Sequence, residues 1–213
     1  MMTRAYQEIY LPDAQAALGD AFDFAVNTCG ISGDDFIHQF VVSSVSRRME
    51  NGEPAYLAGK SGIEIACDVV QECTGRLPDA KPEVRFERSS AYWIGWAVCY
   101  YQWYSGRSYS EIFTALSFED LSMMYITLHE ADITKFVEIA DERVRAVYPD
   151  TNLKRFRTAC GCSQAELSRR SGVSLRSIQM YEQRNKDINK ANASALYSMS
   201  RVLGCSMENL IEK

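Results

Sequence analysis

The sequence predicts an all-α protein of two domains, an acidic helical domain over residues 1–149 and a basic five-helix domain over 150–213. Apolar residues recur at three- and four-residue spacing along most of the chain, the mark of helices with one buried face. Charge divides unevenly: residues 151–213 hold 11 Lys+Arg against 5 Asp+Glu, residues 1–150 hold 12 against 23, and the whole chain is at −5. The stretch "AVYPDTN" (146–152) places a proline at the seam. Pro149 disfavours helix at the residue before it, and Asp150, Thr151 and Asn152 offer capping oxygens to a new helix at Leu153.

The elements of the first domain follow in order. Helix one is expected over about 12–28, with Leu18, Phe22, Ala25 and Val26 on one face, closing at Gly30. Helix two spans about 34–50, with Phe36, Ile37, Phe40, Val41 and Val45 apolar, and ends at "NG" (51–52). "SGIE" (61–64) is a capping box that starts helix three, Ser61 capping the backbone and Glu64 reaching back. "GKS" (59–61) resembles the end of a phosphate-binding loop, but Pro54 stands where that loop needs its first glycine, so the cap reading is preferred. Residues 75–89 are a polar connection, with a short extended piece expected at Val84–Phe86. After it comes "SAYWIGWAVCYYQWYSG" (90–106), which contains all three tryptophans. Helices then follow over 109–116, 118–129 and 133–148, the last with Ile133, Phe136, Val137, Ala140, Val144 and Val147 on one face.

The aromatic stretch has four possible uses. A membrane span needs about 20 apolar residues; here the uncharged run from Ser89 to Gly106 includes Gln102 and several serines. Base stacking needs a basic surround, and this domain is acidic. Tyr92, Trp96, Cys99 and Trp103 form one helical stripe, with Trp93, Ala97, Tyr100 and Tyr104 beside it. A helix apolar on most sides is a buried central helix. Because tyrosine hydroxyls and indole N–H groups need partners, part of it is expected at the surface. Trp93, Trp96, Tyr100, Trp103 and Tyr104 are the candidates for a partner or ligand surface there.

Composition narrows the function classes. No basic segment followed by an apolar one opens the chain, so no secretion signal is expected. Seven cysteines include one C-x-C, at Cys160 and Cys162, and no C-x-x-C. They read as reduced thiols of a cytoplasmic protein, with no metal site and no cofactor. The two histidines, His38 and His129, form no catalytic constellation; "HEADI" (129–133) lacks the second histidine of a zinc motif. The carboxylate pairs Asp34–Asp35 and Glu119–Asp120 sit at helix starts, where the helix dipole explains them. An enzyme is not expected.

The second domain reads as five short helices. One runs from Leu153 to Ala159 and stops at Gly161. "SQAE" (163–166) is another capping box, with Leu167 pointing inward. Gly172 supplies a sharp turn, Val173 packs beneath it, and Ser174 caps a third helix whose inward residues are Ile178 and Tyr181. A fourth helix covers about 191–203, with Leu196, Met199, Val202 and Leu203 apolar, and "SMENLI" (206–211) makes a fifth. Two helices joined by a glycine turn form a helix-turn-helix.

"SQAELSRRSGVS", "IQMYE" and "RVLGCSMENL" resemble the Cro/repressor-type (XRE) helix-turn-helix family, over about 153–212. Ser168 departs from the usual alanine, and Asn189 from a common proline. The resemblance implies that the third helix enters the major groove of double-stranded operator DNA, N-terminus first. Its outward residues Leu175, Arg176, Ser177, Gln179 and Met180 are then the base readers: Arg176 forks onto guanine, Gln179 pairs with adenine, and Leu175 and Met180 touch thymine methyls. Lys154, Arg157, Gln164, Ser174, Arg184 and Lys186 are candidates for phosphate contacts. The family also implies a homodimer on a palindromic operator.

The first domain, through "YWIGWAVCYYQWYSGRSYSEI", together with "RNKDINKA" in the second, resembles antitoxin-like helix-turn-helix proteins of Firmicutes associated with toxin loci, including ADP-ribosyltransferase-like toxins. That implies a repressor whose first domain holds a cognate toxin. The alternative is a regulator that senses a small molecule in an aromatic pocket.

Overall fold

In a computed structural model, residues 4–81 and 88–212 are described. The extended piece expected at Val84–Phe86 lies outside them. Every regular element among the described residues is helical. The chain divides into two compact units, one closing at Val147 and the other opening at Tyr148.

The first unit is built on α1 (Leu11–Asp23) and α5 (Ser90–Ser105). Two glycines let these helices approach closely. A Cβ on Gly95 would clash with the Leu18 carbonyl and lie 3.0 Å from Gly19 Cα, and one on Gly19 would meet the Tyr92 ring at 2.8 Å. Helix α1 does not run evenly to its end. Residues Phe24–Thr28 form a π-turn, in which the Cys29 N–H reaches back five residues to the Phe24 carbonyl at 2.9 Å. The wider turn brings Phe24 inside and leaves Val26 half-buried, against the face expected from a 3.6-residue period.

The single helix expected over 34–50 is two, α2 (Gly33–Val42) and α3 (Ser44–Glu50). Ser43 is extended at the break, with ψ at 164°, and its Oγ donates to the Phe40 carbonyl at 2.8 Å. Serine hydroxyls offer the backbone such alternatives to the helical ladder. Glu72, from α4 (Gly62–Thr74), then accepts from both the N–H and the Oγ of Ser44 at 2.7 Å. Ser61 caps α4 in a complete capping box with Glu64. The same device starts α6 (Tyr109–Ala115), from Ser108 and Glu111, and α7 (Phe118–Leu128), from Ser117 and Asp120. Asp34 and Asp35 lie in the first turn of α2. Asp34 also accepts the Phe118 N–H at 3.1 Å, tying α2 to α7. The last helix, α8 (Ile133–Val147), buries Phe136, Val137, Ala140 and Val144, while Val147 is exposed.

The second unit has four α-helices: α9 (Asn152–Ala159), α10 (Gln164–Ser171), α11 (Leu175–Glu182) and α12 (Ala193–Leu203). The expected fifth is only a single 3₁₀ turn, Glu208–Leu210, pinned by the buried Leu210. A second such turn spans Ile188–Lys190. Leu153, Leu167, Ile178, Tyr181, Leu196, Met199 and Leu203 share one core. Asn189 earns its place in this unit: its amide donates to the Glu212 carbonyl at 2.7 Å and its oxygen accepts the Glu212 N–H at 2.9 Å. The Glu212 carboxylate in turn accepts the Asn152 N–H at 2.6 Å, so the end of the unit closes onto its beginning.

Candidate DNA-binding surface

Helices α10 and α11 are joined by Gly172, whose φ of +71° is a left-handed turn that side chains resist. The Gly172 N–H closes α10 on the Ser168 carbonyl at 2.9 Å. Ser168, where the resembled family has alanine, donates to the Val173 carbonyl at 2.7 Å and so braces the turn. Ser174 is extended and caps α11, accepting the Ser177 N–H at 3.2 Å. Ser163 caps α10 from the Glu166 N–H at 3.1 Å, but its capping box is half made, because Glu166 pairs with Arg170 instead. Inward, α11 buries Ile178 and Tyr181. Outward, Leu175 and Arg176 are exposed, and Ser177, Gln179 and Met180 are half-buried. No hydrogen bond or ion pair among the described residues engages Arg176.

One buried ion pair holds the first three helices of this unit together. Arg157 on α9 places Nε at 2.6 Å and Nη2 at 2.8 Å from the two carboxylate oxygens of Glu182 on α11. Its Nη1 donates to the Cys162 carbonyl at 2.8 Å. Gln164, the first residue of α10, donates Nε2 to the same Glu182 carboxylate at 2.7 Å. The side chains of Arg157 and Glu182 are 12% and 3% exposed. The hydrogen bond to Glu182 raises the pKa of Arg157 above its ordinary value, against the burial that lowers it.

Several residues expected at phosphates already have partners within the fold. Arg157 is a structural cation with its charge already neutralised. The Gln164 amide is turned onto Glu182. Lys154 pairs with Asp150 at 2.8 Å. Arg184 is the one non-glycine residue with positive φ among the described residues, at 58°, and its guanidinium donates to the Pro149 carbonyl at 2.9 Å and pairs with Glu212. Of the six, Ser174, Arg184 and Lys186 are exposed, and of these Ser174 and Lys186 are in no ion pair; Lys186 Nζ stands 5.1 Å from the Tyr181 ring centre.

Ser174 and Lys186 line a cleft of about 300 Å³ together with Ser177, Asn192, Ser194 and Ser198. Asn192 caps α12, accepting the Ala195 N–H at 2.7 Å, so the free N–H groups of that helix open beside the cleft. Sequence reasoning left out Asn192 and Ser194. The available signal was the Asn-x-Ser-Ala start of α12, which reads as an ordinary cap until folding brings it next to α11.

Elsewhere, the aromatic residues expected at a surface of α5 divide between core and surface. Trp93 is buried, with its ring centre 5.8 Å from that of Tyr125 and 5.5 Å from that of Phe136. Trp103 is buried under the chain's own start: its Nε1 donates to the Tyr6 carbonyl at 2.9 Å and the Arg4 guanidinium covers its ring at 4.5 Å. Trp96, Tyr100 and Tyr104 remain half-exposed. Among the described residues no group of His, Cys, Asp and Glu could hold a metal ion. No described helix is long and apolar enough to cross a membrane.

A two-helix unit with a glycine turn, a capped outward helix and a shared core defines a helix-turn-helix DNA-binding module. Residues 153–210 match the family model described as Helix-turn-helix, which is of the Cro/repressor (XRE) type. The match makes the protein a DNA-binding transcription regulator, of a regulatory rather than an enzymatic family. No curated protein and no solved structure matches the chain.

Proposed function

We propose that the protein is a sequence-specific repressor in the cytoplasm that reads its operator with α11 and binds a second protein, a cognate toxin, through the unit at residues 1–149. The observation that carries the DNA reading is the outward face of α11. Arg176 is exposed and unengaged at the N-terminal end of a helix whose other face is fixed in the core. A guanidinium presented in that way fits the O6 and N7 atoms of guanine. Ser177, Gln179, Leu175 and Met180 extend the same face. Ser174, Lys186, the backbone N–H of Gln164 and the start of α12 supply phosphate contacts on either side. A module this small needs a second copy for useful specificity, so the protein binds a palindromic site as a homodimer.

The toxin reading rests on the resemblance of "YWIGWAVCYYQWYSGRSYSEI" and "RNKDINKA" to antitoxin-like proteins, and on the acidic charge of the first unit. The rings of α5 pack on one another and on α7 and α8, which favours a partner at the half-exposed edge of Trp96, Tyr100 and Tyr104 over a ligand inside an aromatic pocket. Selection from a random duplex library, followed by gel shift, tests the DNA reading; a palindromic consensus bound by wild type and lost in Arg176→Ala is expected. An unchanged shift in Arg176→Ala removes α11 as the reader. Pull-down from native cells with mass spectrometry tests the second reading: a stoichiometric small protein encoded beside this gene supports it. DNA release by a metabolite, with no such protein, overturns it.

A further inference from the structure

We propose that Glu212 and Arg184 form a clasp that aims Lys186 at the DNA backbone, so that Glu212, an acidic residue, is a positioning residue for DNA binding. The loop leaving α11 turns at Arg184, whose φ of 58° lies in the left-handed region that residues with a Cβ enter at a cost. The Arg184 N–H donates to the Tyr181 carbonyl at 3.2 Å, and the Lys186 N–H reaches back to the Met180 carbonyl at 3.0 Å. The backbone at Arg184 therefore decides the direction in which Lys186 leaves the helix. Lys186 then stands over the Tyr181 ring and lines the cleft with Ser174 and Ser177.

A strained turn persists where its surroundings over-determine it. Here those surroundings are distant in the chain. Arg184 Nη2 donates to the Pro149 carbonyl at 2.9 Å, and Nη1 to Glu212 Oε2 at 3.5 Å. Glu212 is itself held from two further sides. Its Oε1 accepts the Asn152 N–H at 2.6 Å, and its own N–H and carbonyl both pair with the Asn189 side chain, at 2.9 and 2.7 Å. The Asn152 amide donates to the Ile211 carbonyl at 2.8 Å, beside the buried Leu210. Pro149, Asn152, Ile211 and Glu212 all lie outside the residues 153–210 that match the family, so the clasp is added at both ends of the shared module. It gives Glu212 an effect opposite to that of its charge. An anion beside a polyanion weakens binding by repulsion. As the anchor of Arg184, Glu212 strengthens it, and the Arg184 guanidinium is used within the fold. The proposal rests on Lys186 being a phosphate contact, which a separate variant tests.

The full-length protein is titrated with a mixed-sequence duplex of about 30 base pairs, by fluorescence anisotropy over a series of KCl concentrations, because log K falls with log salt by about one per phosphate contact. Lys186→Ala is expected to lower that slope by about one and the affinity by about fivefold to tenfold. Glu212→Ala is expected to do the same, although it removes a negative charge. Arg184→Gly, added to Glu212→Ala, is expected to bring slope and affinity back to within about twofold of wild type, because glycine takes the left-handed turn without a clasp. Tighter binding or a steeper slope in Glu212→Ala overturns the proposal, since charge removal or an Arg184 freed onto a phosphate then governs. A loss that Arg184→Gly leaves in place also overturns it, as the mark of a lost fold or of a direct Arg184 contact. An unchanged slope in Lys186→Ala removes Lys186 as a phosphate contact and the clasp's role with it. An effect in Lys186→Ala with none in Glu212→Ala overturns the clasp alone.

Discussion

Helix α5 is 16 residues long and buries 11 of them, whereas α11 is 8 residues long and buries only Ile178 and Tyr181. The longer helix holds every tryptophan, yet its polar tips are used internally. Tyr101 donates to Asp141 at 2.8 Å, Gln102 to the Arg107 carbonyl, and Trp103 to the Tyr6 carbonyl. Cys99, fully buried beside Tyr6, has its thiol pushed up to about 11 by burial. The shorter helix puts one unengaged guanidinium into water. Aromatic content marks where a unit is held together, and an unpaired outward cation on a capped short helix marks where it meets a polyanion.

The comparison breaks most sharply at the ion pair under α11. Glu182→Ala strands Arg157 and the Gln164 amide in a buried site, and is expected to cost about 3–5 kcal/mol of the second unit's stability. A fall in the urea midpoint of α9–α12, followed by hydrogen exchange, checks it; a loss under 1 kcal/mol would show that water replaces Glu182. Gly95→Ala tests α5 in the same way. The added Cβ meets backbone rather than a flexible tip, so a cost of about 3 kcal/mol is expected in tryptophan-monitored unfolding. Next comes Arg176→Ala, which should weaken operator binding by about 1–3 kcal/mol, roughly fivefold to 150-fold, with no change in melting. Should it instead lower stability, α11 would be a packing helix like α5.

Smaller effects belong to the helix starts. Ser61→Ala removes the α4 cap and should cost about 1 kcal/mol by chemical denaturation. The caps also set an acid response. Hydrogen bonds from the Ser117 side chain and N–H hold the Asp120 carboxyl below its ordinary pKa, and the Ser61 N–H and hydroxyl do the same for Glu64. A folded pKa below the unfolded one gives stability that is present above about pH 4 and is lost as pH falls through the folded value. Burial acts oppositely on Asp20 and Glu50, raising both, so those two groups favour the fold in acid. Asp120→Asn should therefore narrow the gap between the urea-unfolding free energies at pH 7 and pH 3 by about half a kcal/mol after solvent screening. An unchanged gap would place the acid response elsewhere.

Legibility followed range. The cap of α4, the turn at Gly172 and the inward pair Ile178 and Tyr181 are short-range features, set by residues within four positions of each other, and all were readable. The π-turn at Phe24 and the break at Ser43 were not. Each depends on what packs against it, and the period of an apolar pattern cannot register one inserted residue per turn. The charged side chains divide in the same way. Arg157 and Arg176 look alike as basic residues of a basic segment, and only Glu182, 25 positions from Arg157, tells the structural cation from the outward one.

By itself the sequence determined most of the helix starts and the helix-turn-helix, because capping oxygens, a left-handed glycine and apolar spacing act within a turn or two of the chain. Tertiary structure alone decided which polar groups were left for function. Arg4 covers the Trp103 ring from about a hundred residues away, Glu182 takes up Arg157 and Gln164, and the start of α12 comes to lie beside Ser174 and Lys186. A charge or ring is available to a partner only when nothing in its own fold has already satisfied it, and that is settled by three-dimensional neighbours.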